Sequence, residues 1–186
     1  MSKLKDKKRG LSLIELVVAL SLITIILMIV GPFFISNYKS LNKTSNQIDF
    51  QRESKVILDH FGETAMECGE IFKIKADAKD VDLSKTNNIS GENVIITFVN
   101  NETENQVRTS FRLKNGTLTY NRKLKSNNFK DNKITIGKFI KNITYTAMPK
   151  GTTFENANSI EVKIVFDTSN AEPYEVKNIF AFRNKK

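Results

Sequence analysis

Apolar residues fall along this 186-residue chain in three successive patterns. From Leu16 to Tyr38 no charged side chain occurs, and aliphatic and aromatic residues dominate. Those 23 residues would span roughly 34 Å as a helix, against a hydrocarbon core of about 30 Å. From Ser36 to about Gly69 the chain stays helix-friendly but turns polar. Within it Ile57, Phe61, Ala65 and Cys68 recur at steps of four, four and three, which makes one apolar helix stripe. Gly69 is a natural helix stop. The pattern predicts one long helix over 11–69, with a transmembrane first half at about 14–36 and a second half that docks on a globular head.

After Gly69 the period becomes two, and 70–186 reads as a β-rich head. Val107, Thr109, Phe111 and Leu113 alternate with Arg108, Ser110, Arg112 and Lys114. Asn115-Gly116 follows, then Leu118 and Tyr120 at alternate positions, which is a strong short hairpin signal. Ile160, Val162, Ile164 and Phe166 mark another strand, and Tyr174, Val176, Phe180 and Phe182 a further one after a turn around Ser169 to Pro173. Val94 to Val99 and Phe139 to Ala147 are also strand candidates, whereas Asp77 to Ser90 is the most loop-like stretch. Antiparallel strands with one polar face imply a sheet covered on one side, and the helix stripe supplies the cover. The predicted fold class is α+β: a long N-terminal helix packed on an antiparallel β-sheet head.

Charge orients the apolar segment. Lys3, Lys5, Lys7, Lys8 and Arg9 outweigh Asp6 by +4, leaving +5 of the formal +9 to the rest of the chain. The basic residues precede the apolar run, so the positive-inside rule puts residues 1–10 in the cytoplasm and the head outside. A conventional secretory signal has an apolar core of only about 7–15 residues and a small-residue cleavage site. Here Phe33-Phe34-Ile35-Ser36-Asn37-Tyr38 follows instead. A plain single-pass anchor leaves two features unexplained. One is Gly10, directly before the apolar run. The other is Glu15, a carboxylate one helical turn past Leu11 and on the same face. A charge inside a membrane span is costly and marks function.

The stretch Lys7-Lys8-Arg9-Gly10-Leu11-Ser12-Leu13-Ile14-Glu15 resembles the processing site of type IV prepilins and type II secretion pseudopilins. The resemblance implies that a prepilin peptidase removes leader 1–10 by cutting between Gly10 and Leu11, and that the new amine of Leu11 is methylated. Leu11 stands where the family usually has phenylalanine. Glu15 would then serve filament assembly, its carboxylate neutralised by the amine of a neighbouring subunit. Pro32 matches the family's proline near the outer end of the span, and Gly31 beside it weakens the helix further. Pro32 removes the hydrogen bond to the Met28 carbonyl, which predicts a kink or local melting. The size of the head and the Phe182-Arg183-Asn184 ending look like those of minor pilins and pseudopilins near a filament tip.

No catalytic constellation stands out, and no cofactor or metal site is expected. A phosphate-binding glycine loop, H-E-x-x-H and C-x-x-C are all missing from the sequence. Cys68 and His60 are the sole cysteine and histidine and read as structural. Asp77, Asp80 and Asp82 fit no EF-hand spacing and read as a solvated loop. Arg183, Lys185 and Lys186 read as a solvated tail. The leading expectation is a non-enzymatic minor pilin or pseudopilin, built into a type IV pilus or related filament for adhesion, twitching motility, DNA uptake or protein secretion. Its partners would be prepilin peptidase, other pilin subunits, the assembly platform and motor, and the cytoplasmic membrane. It would begin as a single-pass precursor and end in a cell-surface filament. Two alternatives stay open: a filament-tip binding module for a surface or DNA, and an unprocessed single-pass protein with an extracellular sensory head.

Overall fold

The computed structural model describes residues 12–100, 106–125, 130–167 and 173–183. Its first element is helix α1, Leu13–Glu67, of 55 residues. The expected range of 11–69 is trimmed at both ends. Ser12 stands outside the helix as its cap, and Cys68 and Gly69 lead into the first strand. The helix runs unbroken through Gly31 and Pro32. The chain divides into two compact units, 1–44 and 45–186.

In the first unit every described residue except Gly31 is exposed. Among its described residues the second unit holds the rest of α1 and ten strands: β1 Glu70–Ala76, β2 Lys79–Asp80, β3 Asn88–Gly91, β4 Val94–Val99, β5 Val107–Lys114, β6 Thr117–Leu124, β7 Lys133–Gly137, β8 Ile140–Met148, β9 Ser159–Phe166 and β10 Tyr174–Ala181. They form two antiparallel sheets. One has six strands in the order β2-β1-β4-β5-β6-β7, the other four in the order β10-β9-β8-β3. The architecture is α+β and pilin-like: one long N-terminal helix followed by antiparallel β-sheets.

The β5–β6 hairpin turns at Asn115 and Gly116, both at positive φ, with Lys114 paired to Thr117. A two-residue turn of this hand needs two left-handed residues, which Asn-Gly supplies at least cost. The strands expected at 94–99, 160–166 and 174–182 are β4, β9 and β10, and the one expected at 139–147 is β8, which starts one residue later and ends one later. Two expectations need correcting. Asp77 to Ser90 is not one loop: β2 and most of β3 lie within it. Asp77 and Ala78 make a second tight turn at positive φ, without the glycine that usually marks one. β3 pairs with β8 through polar residues, Asn88 to Thr146 and Ser90 to Asn142 and Thr144, so no apolar alternation reveals it.

The second correction is that the helix stripe covers two sheets, not one. Ile57, Phe61, Ala65 and Cys68 are all buried, joined by Phe50. Phe61 stacks on Phe111 of the larger sheet at 3.8 Å between centroids and lies 6.0 Å from both Tyr145 and Phe180 of the smaller one. Phe50 stacks on Phe166 at 5.3 Å. A period of two assigns residues to a face but not strands to a sheet. The chain visits the smaller sheet at β3, returns at β4, and changes sheets for the last time between Gly137 and Ile140, where Phe139 adopts a positive φ of 56°.

Candidate functional site

The start of α1 is where the sequence concentrates its chemistry. Gly10 and Leu11 lie outside the described residues. The first described residue, Ser12, is the N-cap. Its backbone N–H donates to Oε2 of Glu15 at 2.8 Å, and the Glu15 N–H donates to Oγ of Ser12 at 3.3 Å. The Leu16 N–H closes the first helical turn on the Ser12 carbonyl at 3.2 Å. This is a capping box, in which serine and glutamate three residues apart satisfy each other's backbone donors. Sequence reasoning read Glu15 through its spacing from Leu11 and missed its partner Ser12, although S-x-x-E before an apolar run is a readable signature.

Beyond the cap, α1 is long and apolar enough to cross a membrane. The two hydroxyls near the middle of the run do not oppose this. Oγ of Ser21 donates to the Val18 carbonyl and Oγ1 of Thr24 to the Leu20 carbonyl, each at 2.8 Å. Turned back on their own helix, they present no open donor to lipid. Pro32 has no N–H, so it leaves the Met28 carbonyl without its helical donor, a loss that membrane helices tolerate. Gly31 beside it has no neighbouring side chain within reach of a Cβ.

The other candidates are occupied by structure. Cys68 is fully buried at the end of α1, and burial, reinforced by the neighbouring Glu67 carboxylate, pushes its thiol up to about 12. That thiol is inert at neutral pH. His60 stacks on Tyr120 at 4.6 Å and lies 3.6 Å from Glu63. Asp80 pairs with Lys73 at 2.7 Å and Lys75 at 3.3 Å, and the Lys73 hydrogen bond holds its carboxyl below the ordinary range. Asp82 accepts from Ser84 Oγ at 2.7 Å, which lowers it likewise. These carboxylates answer local donors and do not converge on one point. The backbone N–H of Arg183 donates to the Ala65 carbonyl at 3.3 Å, tying the chain's end to α1; Lys185 and Lys186 lie outside the described residues.

The family model described as prokaryotic N-terminal methylation motif matches residues 5–31. No curated protein matches the chain. No solved structure matches it either. The matched stretch covers most of the basic N-terminal residues, the capping box and the apolar helix as far as Gly31. The motif implies processing by a prepilin peptidase and assembly with other pilin subunits, and with the apolar helix it fits membrane anchoring. Residues 5–31 match the N-terminal methylation motif, the class III signal peptide of type IV pilins and pseudopilins, and that match supports a type IV pilin- or pseudopilin-like protein.

Proposed function

We propose that this chain is a minor pilin or pseudopilin, a filament subunit that performs no catalysis of its own. A prepilin peptidase cuts between Gly10 and Leu11, and the Leu11 amine is methylated. The precursor rests in the cytoplasmic membrane with its leader inside and its head outside. An assembly platform and motor then extract it into a surface filament, whose apolar helices pack against one another.

One observation carries this reading. The first half of α1 is apolar, it is exposed along its length, and its sole carboxylate lies one turn from the expected new amine. Lipid covers such a surface before assembly and neighbouring helices cover it afterwards. The capping box refines the role of Glu15. Its carboxylate already accepts the Ser12 N–H. A carboxylate has about four lone-pair sites, so it can accept a neighbour's amine without releasing its own cap. Docking thus neutralises the charge and keeps the helix start intact.

The test is mass spectrometry of the N-terminal peptide from membrane and sheared-surface fractions. A chain starting at methylated Leu11 in both fractions is the expected result. A chain retaining Met1 to Gly10, in cells with active prepilin peptidase, overturns the reading in favour of a plain anchor. Glu15→Ala is expected to remain in the membrane, correctly trimmed, and to be lost from the sheared fraction. Undiminished incorporation of that variant would remove Glu15 from assembly.

A further inference from the structure

A strand at the end of a sheet leaves one row of backbone groups unpaired, which is a template for another strand. Among the described residues the head ends in four such strands, β2, β7, β10 and β3. Three of them are blunted. β2 has two residues and β3 has four. β7 has five, and the next N–H, that of Lys138, donates to Oε2 of Glu53 at 2.7 Å. β10 is different: it has eight residues, no proline, and an unbroken register against β9. Two hydrogen bonds fix the direction of its backbone groups. The Phe182 N–H donates to the Asn158 carbonyl at 2.9 Å, so the even-numbered residues bond to β9. The Ile179 N–H donates instead to Oδ1 of Asn178 at 2.9 Å. Glu175, Lys177, Ile179 and Ala181 therefore turn their N–H and C=O groups to the open edge.

The side chains of the same four residues are exposed on the outer face of the four-stranded sheet. Lys177 lies directly opposite Lys163 on β9. Like charges so placed cost stability. Glu175 pairs with Lys163 at 2.8 Å, whereas Lys177 has no ion-pair partner among the described residues. Lys177 thus stands at the open edge as an unmatched cation, with a carboxylate two residues before it.

We propose that β10 pairs antiparallel with β10 of a second copy of this chain, about a two-fold centred on Val176. That alignment sets Lys177 opposite the partner's Glu175, and Glu175 opposite the partner's Lys177. All four residues turn backbone groups to the shared edge, so each pair exchanges both of its N–H···O bonds. Ile179 falls opposite the partner's Pro173, which has no N–H to give. The Ile179 N–H is already satisfied by Asn178 and asks nothing of it. Centring the pair on Glu175 or on Lys177 would bring like charges together, and centring it on Asn178 would leave Lys177 against an isoleucine. The charges therefore select Val176. α1 runs alongside β10, since Phe50 stacks on Tyr174 at 6.4 Å and Gly62 lies against Phe180. The two-fold thus sets the two copies of 45–67 antiparallel. It joins subunits of opposite polarity, as in two filaments lying side by side in opposite directions, and not neighbours within one filament. That setting rests on the filament reading, whereas the strand pairing itself does not. The contact is small, so a single pair is weak and repetition along filaments strengthens it.

The test is disulfide trapping of the purified full chain in zwitterionic detergent under mild oxidation. At the two-fold the Val176 Cα atoms stand about 4.5 Å apart, which is within disulfide range. Val176→Cys is expected to give a covalent dimer on a non-reducing gel. The wild type is expected to give none, because Cys68 is fully buried. Asn178→Cys is expected to give little, because its two copies stand about 13 Å apart. Adding Lys177→Glu or Glu175→Lys to Val176→Cys should cut the dimer roughly fivefold, through two lost ion pairs and the repulsion that replaces them. Adding both should restore it, and the melting temperature of each variant confirms that the head is folded. Four results each overturn the proposal: no dimer from Val176→Cys, as much dimer from Asn178→Cys, no loss on single charge reversal, or no recovery on the double exchange. Glu15→Ala combined with Val176→Cys should dimerise in full, so failure here and failure of the filament reading are separable.

Discussion

The two halves of α1 are one helix solving opposite problems. Residues 13–44 have apolar side chains on every side and bury none of them, whereas 45–67 carry an apolar stripe that is buried almost completely. In the second half the cover is built into the same chain, and its sequence is accordingly periodic. In the first half the cover is lipid or another subunit, so no side is spared apolar residues. Where the apolar residues of a helix fall thus tells what covers it.

The largest expected effect breaks the buried half alone. Phe61 touches aromatic rings from both sheets, so Phe61→Ala removes the side chain on which the two layers meet. Truncating a buried phenylalanine costs about 3–5 kcal/mol. Thermal unfolding of the head should show this loss, while extraction of the chain from membranes stays unchanged.

The reciprocal change is Ile26→Arg, in the middle of the charge-free run. A central arginine costs about 2.5–3.5 kcal/mol of insertion free energy. Carbonate extraction should release a larger share of this variant, while its head melts as in the wild type. A head that melts earlier would mean the two halves are energetically coupled, contrary to their division into two compact units.

The same contrast sets how much could be read from sequence. The apolar run of the exposed half was legible, because a membrane demands an unbroken apolar stretch, and a carboxylate within it is conspicuous. The stripe on the buried half and the Asn115-Gly116 hairpin were legible for similar local reasons. What stayed hidden was non-local. Nothing along the chain tells β5 from β9 as members of different sheets, and the inserted strands β2 and β3 are polar. The Ser12–Glu15 cap is local, and S-x-x-E before an apolar run makes it readable.

Where α1 ends, Cys68 offers a smaller test of the buried half. Its thiol is pushed up to about 12 by burial, against about 8.5 for a free cysteine. The folded state prefers the neutral thiol, so this contribution is fully present below about pH 8.5 and is lost as pH rises toward 12. The unfolded chain ionises first and is favoured in that window. Lysines and tyrosines titrate there as well, so the readout is a difference. From pH 8 to 11 the wild type should lose more melting temperature than Cys68→Ala does. Equal losses would place the thiol in contact with water.

The smallest effect should have the opposite sign. Tyr145 is fully buried against Phe61, and its hydroxyl has no hydrogen-bond partner among the described residues. Burying an unpaired hydroxyl costs about 1–3 kcal/mol. Tyr145→Phe keeps the ring and removes that cost, so the head should melt at the same temperature or a few degrees higher. A clear loss of stability would show that the hydroxyl is bonded in solution, with water between the sheets as its partner. The interior between helix and sheets would then be wetter than its packing indicates, and the buried half of α1 would owe less of its cover to apolar contact than the comparison with the exposed half implies.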